Sequence, residues 1–90
     1  MEFEWDDAKA RSNLRDHGVS FEYATLIFED AARVERPDTR LDYGEERWLT
    51  VGFVDRFELV VVYTLRESRI RMISARKATS DERKEYWENR

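Results

Sequence analysis

Between residues 46 and 76 the chain carries three strand-like runs joined by connections of only two residues, Asp55-Arg56 and Glu67-Ser68. A two-residue connection can reverse a strand but cannot carry the chain over to a parallel neighbour. The runs 46–54, 57–65 and 69–76 are therefore antiparallel neighbours, and the rest of the chain has to fold around them. In the middle run Phe57, Leu59, Val61, Tyr63 and Leu65 alternate onto one face, while Val60 and Val62 make the other face apolar as well. A strand apolar on both faces belongs at the centre of a sheet.

Upstream of this meander the spacing is helical. Asp6 is a good N-cap for a helix over 7–16, Asp7 complements its dipole, and Ala10 and Leu14 mark its apolar stripe. Gly18 reads as a left-handed stop. Ser20 then caps a second helix over 21–29, with Phe21, Ala24 and Phe28 on one face, thickened by Leu26 and Ile27. The two form a helical hairpin. Residues 33–36 read as a short strand that Pro37 ends, and 37–45 as a polar loop. Thr79 and Glu82 make a capping box for a last helix over 80–89, which carries Arg83, Tyr86 and Trp87. Helices and strands fall in separate runs, so the class is α+β. The expected architecture is a helical hairpin, a four-stranded antiparallel sheet and a C-terminal helix, in one domain over residues 1–90.

The chain has no cysteine and a single histidine, His17. Thiolate chemistry is excluded, and neither a metal site nor a cofactor is expected. The acidic first residues suit no signal peptide, and the apolar run at 59–63 is far too short to cross a bilayer. A soluble cytoplasmic protein is expected. The net charge of −4 argues against a dedicated nucleic-acid binder, but it is unevenly spread. Residues 1–65 hold 8 basic and 15 acidic side chains, whereas residues 66–90 hold 8 basic and 5 acidic ones. Arg66, Arg69, Arg71, Arg76 and Lys77 lie close together with only Glu67 opposing them. This stripe is either a phosphate site or a set of strand residues that pair with acids on neighbouring elements.

Three blocks of the chain resemble one family. The first is Phe3-Glu4-Trp5-Asp6, followed by Lys9, Asn13, His17-Gly18-Val19-Ser20-Phe21 and Ala24. The second is Gly44-Glu45-Glu46-Arg47 with Gly52. The third runs from Arg71 to Thr79, with Glu82, Arg83 and Tyr86. Together they resemble the BrnT toxins of type II toxin–antitoxin systems. The resemblance implies a RelE-like ribonuclease fold, RNA cleavage that inhibits translation, and neutralisation by a small BrnA-type ribbon–helix–helix antitoxin. DNA would be bound only through that antitoxin. Asp16 departs from the pattern, since a basic residue commonly precedes the histidine in such sequences.

Metal-free RNA cleavage uses the 2′-hydroxyl as nucleophile and needs positive charge on the scissile phosphate. Without a pair of histidines, arginine and lysine must carry much of this load, because a guanidinium grips two phosphate oxygens at once. The candidate catalytic residues are Arg76, Arg47, Lys9 and His17, and the candidate RNA contacts are Arg69, Arg71, Lys77 and Asn13. Strict alternation places Arg76 on a face with Ile70, Met72 and Ser74, and Arg47 with Leu49, Val51 and Phe53. Each has a plainer reading. Arg76 can be a structural ion pair, Arg47 can pair with Glu46 or Glu82, and Asn13 can cap the Gly18 turn. Tyr63 and Tyr86 read as core. The alternative to an enzyme is a non-catalytic RNA- or protein-binding module that retains antitoxin binding.

Overall fold

A computed structural model describes residues 1–89. The elements in order are β1 (Glu2–Glu4), α1 (Asp7–His17), α2 (Phe21–Ala24) continuing into a 3-10 turn (Thr25–Glu29), β2 (Val34–Pro37), β3 (Trp48–Val54), β4 (Phe57–Arg66), β5 (Arg69–Lys77) and α3 (Ser80–Glu88). The helix starts follow from their caps. Asp6 accepts from the Ala8 N–H, Ser20 from the Tyr23 N–H, and Thr79 and Glu82 complete a reciprocal capping box. Gly18 ends α1 at φ 70, where a side chain would be strained. The second helix is shorter than its spacing suggests. Phe21, Ala24 and Ile27 are all fully buried, and a three-residue repeat keeps them in line only if the winding tightens toward three residues per turn.

The sheet has five strands in the order β1-β5-β4-β3-β2. The four strands expected from the sequence are antiparallel, and β4 is central as expected. The sheet is nevertheless mixed, because β1 adds to β5 in parallel. This corrects the four-stranded antiparallel expectation. A three-residue strand leaves no periodic signature. What specifies it is distant: Phe3 pairs with Ile70 and packs on the core, and Glu2 and Glu4 stand beside Arg69 and Arg71.

Helices cover both faces of the sheet. On the first face α1, α2 and the 3-10 turn pack on Val54, Leu59, Val61, Tyr63, Ile70, Met72 and Ala75. On the second, Tyr86 of α3 is buried with Leu49, Val51, Val60 and Val62. A β-bulge decides which face each β5 residue joins. Tyr63 pairs with Met72 and Val62 with Ser74, so Ile73 is the extra residue. Ala75 thereby joins Met72 on the first face, and Arg76, opposite Val60, joins the second. The simple alternation of Ile70, Met72, Ser74 and Arg76 fails here because a bulge shifts the period by one.

Candidate functional site

The five cations of the 66–77 stripe do not form one patch. Arg69 and Arg71 reach Glu2 and Glu4 of β1, with Arg71 to Glu4 the tightest at 2.8 Å. Arg66 approaches Glu45 at 3.7 Å, and Lys77 sits over the Phe57 ring at 4.5 Å. Arg66, Arg69 and Arg71 thus face acids on neighbouring elements, whereas Lys77 faces an aromatic ring. Arg66 and Arg69 remain about half exposed in loose pairs, and such pairs hold their partners weakly.

Arg76 is held differently. Its Nη1 and Nη2 donate to the two carboxylate oxygens of Glu82 at 2.7 and 2.9 Å, and Nη1 also donates to the Lys77 carbonyl. Glu82 in turn accepts from the Thr79 N–H at 2.8 Å, so the capping box of α3 fixes the carboxylate that fixes the arginine. The Arg76 hydrogen bonds, with the Thr79 N–H bond adding to them, hold the Glu82 carboxyl well below the usual carboxylate range, at about 2, and the Arg76 guanidinium is raised reciprocally. Three of the five guanidinium N–H donors are used. Among the described residues the Nε–H and the second Nη2–H have no partner; they lie side by side on one edge, and the side chain is 28% exposed. That edge suits two oxygens of a phosphate.

The loop between β2 and β3 is the part of the site that the sequence did not announce. Its base is closed by the Asp38 N–H donating to the Arg47 carbonyl at 2.8 Å. Inside, the Asp38 side chain is 1% exposed and takes both Nε and Nη2 of Arg40 at 2.8 Å, with the Tyr43 hydroxyl donating at 3.3 Å. Arg40 is the main reason why the Asp38 carboxyl is pulled down to about 2. The loop and the start of β3 wall a cavity of about 440 Å³ whose lining includes Arg40, Tyr43, Glu46, Arg47 and Trp48. Arg47 pairs with Glu45, not with Glu46 or Glu82, and its guanidinium lies 3.9 Å above the Tyr43 ring. Asp38 and Arg40 read as ordinary loop polarity in sequence. The one signal for them is an acid and a base two residues apart just after Pro37.

Arg47 and Arg76 belong to the same second face but stand apart along it. Arg47 precedes the Trp48–Tyr63 pair, whereas Arg76 lies opposite Val60. From residue 64 to 60 along β4 is about 13 Å. Arg40 lines the cavity beside Arg47, and Arg76 lies outside that lining. Lys9 and His17 are exposed on α1, which packs on the first face, and no hydrogen bond or ion pair among the described residues joins either to Arg76 or Arg47. Asn13 is buried between them. It donates to the Val19 and Ala75 carbonyls at 2.9 and 2.7 Å and accepts from the Ala75 N–H at 3.1 Å. Its amide stitches the turn after α1 to β5, with no group left over for RNA, which agrees with the plainer reading as a cap of that turn.

Among the described residues no three His, Asp or Glu side chains converge as ligands of a metal ion would. Among the described residues no helix is long and apolar enough to cross a membrane. The arrangement offers fixed guanidinium charge beside a cavity with an aromatic wall, which is what an RNA strand requires of a protein: cations for phosphates and a planar surface for bases. No match is found among curated proteins. The family described as "Ribonuclease toxin, BrnT, of type II toxin-antitoxin system" matches residues 5–82, which include every residue of the cavity and Arg76 with its Glu82 partner. The chain belongs to the BrnT family of ribonuclease toxins from type II toxin–antitoxin systems.

Proposed function

We propose that this toxin cleaves RNA without a metal ion, on the sheet face that carries Arg76, Arg40 and Arg47, and that it arrests translation by doing so. The reading rests on one observation above all: Arg76 is locked by Glu82 with a two-donor edge left over. In the reaction the 2′-oxygen attacks phosphorus and its proton goes to a base. The bond to the 5′-oxygen breaks, and that oxygen takes a proton. The phosphorane in between carries extra negative charge, and a preorganised guanidinium stabilises it more than it does the substrate. Arg76 serves the scissile phosphate. Arg47, about 13 Å further along the face, serves a neighbouring stretch of the strand. Arg69 and Arg71 continue the positive edge toward β1, and Lys77, Lys9 and His17 meet flanking RNA outside the reacting centre.

The α+β order with a central meander is in keeping with a RelE-like fold. The partner is a small BrnA-type ribbon–helix–helix antitoxin that covers the arginine face and brings the complex to DNA. The test is incubation of the purified toxin with single-stranded RNA in EDTA, followed by mapping of the ends. Fragments with 2′,3′-cyclic phosphate and 5′-hydroxyl ends are expected, with cleavage reduced roughly a hundredfold or more in Arg76→Ala. RNA that binds but stays intact would make the chain a binding module instead.

A further inference from the structure

The cavity under the 38–47 loop has a donor and acceptor set of its own. Building on the ribonuclease reading above, we propose that it is a nucleobase pocket that selects guanine in the bound RNA, with Glu46 as the residue that selects. Its volume, about 440 Å³, lies within the range of pockets that hold small organic ligands. Its wall is assembled in advance. The Arg47 guanidinium lies 3.9 Å above the Tyr43 ring, Glu45 holds the Arg47 Nε at 3.2 Å, and the Tyr43 hydroxyl is tied to buried Asp38. Both an aromatic face and a guanidinium plane stack on bases. Ordering this layer before the ligand arrives lowers the entropy cost of binding.

Selection comes from what the wall leaves unpaired. Glu45 is occupied by Arg47 and Arg66. Glu46, beside it, lines the cavity with no side-chain partner among the described residues. A carboxylate presents two acceptors side by side, so it fits an edge with two adjacent donors. Guanine alone among the four bases has such an edge, in N1–H and the N2 amino group. Adenine, cytosine and uracil each set an acceptor next to their donor, which would face a carboxylate oxygen and repel it. Arg40 and Arg47 line the same cavity, so the phosphate of a nucleotide seated here finds cations in the pocket wall itself.

The experiment titrates the intact protein with each of the four 5′-mononucleotides and follows the amide signals of residues 38–48. GMP should move these signals and bind roughly tenfold or more tightly than AMP, CMP or UMP. Glu46→Gln, an exposed isosteric change whose melting curve should match that of the parent, offers one donor and one acceptor and should lose the preference for guanine. Tyr43→Ala should weaken all four nucleotides together. Equal binding of the four, shifts that lie elsewhere, or a guanine preference intact in Glu46→Gln would each overturn the proposal. Mapping of cut sites in RNA separates the two readings. Cutting without guanine preference removes the pocket and leaves the ribonuclease. Guanine-selective binding with uncut RNA removes the ribonuclease and leaves the pocket.

Discussion

Arg76 and Glu82 show how one contact can serve both stability and the site. Glu82 has its carboxyl held at about 2, well below the usual range. A lowered carboxylate stabilises the fold above its unfolded pKa, and this contribution is lost as the pH falls through the folded value. Glu82→Gln should therefore cost on the order of 2 kcal/mol near neutral pH. The difference from the parent should shrink as the pH drops from about 4.5 toward about 2. Denaturant unfolding at several pH values measures it, and a gap that stays constant would show that the pairing is not the cause. Asp38, held at about 2 chiefly by Arg40, acts in the same window and with the same sign. Arg76→Lys keeps the charge but not the fork. It should retain most of the stability at neutral pH, yet lose cleavage nearly as fully as Arg76→Ala. Full cleavage by Arg76→Lys would mean that the two-donor edge is not what the reaction uses. At this scale the residue types were legible, since Arg76 and Arg47 are singled out by the chemistry of phosphate. Their partners were not, because Glu82 and Glu45 become neighbours only through α3 and the loop.

The elements depend on close packing at a few points. Gly52 in β3 faces the 3-10 turn, and a Cβ placed there would lie 2.6 Å from Ile27 Cγ1 and 3.3 Å from Arg33 Cβ. Ile27 is fully buried and has nowhere to retreat. Gly52→Ala should destabilise the fold by about 1–3 kcal/mol, visible as a lowered melting temperature; an unchanged value would mean that the turn does not press on β3. Thr79→Ala removes one half of the α3 capping box and should cost about 1 kcal/mol. The Thr79 N–H that holds the Glu82 carboxylate is backbone and remains, so cleavage by the folded protein should stay close to that of the parent. The caps, the meander and the central position of β4 were readable because each is a local pattern. The bulge at Ile73 and the strand β1 were not. A bulge moves the period by one without changing composition, and a three-residue strand is too short to have a period.

For the molecule as a whole, charge sets how RNA is held. The net charge is −4, and Arg40, Arg47, Arg69, Arg71 and Arg76 each face an acid, so phosphate can be met only by the donors that these pairs leave over. Binding should rest on three or four phosphate contacts and weaken with salt at a log–log slope of about −2 to −3 for a single strand. Titrations from low to moderate salt test this, and a flat response would remove the arginine face as the phosphate site. Sequence pattern alone settled the α+β class, the antiparallel meander, the helix caps and the family, because these rest on neighbours in the chain or on residue types in order. Which face each arginine joined, which acid held it, and where the cavity opened depended on contacts between elements. Arg71 meets Glu4 across 67 positions and Arg36 meets Glu85 across 49. Local propensity carries no information over such separations, so these pairings were decided when β1, α3 and the 38–47 loop closed on the sheet.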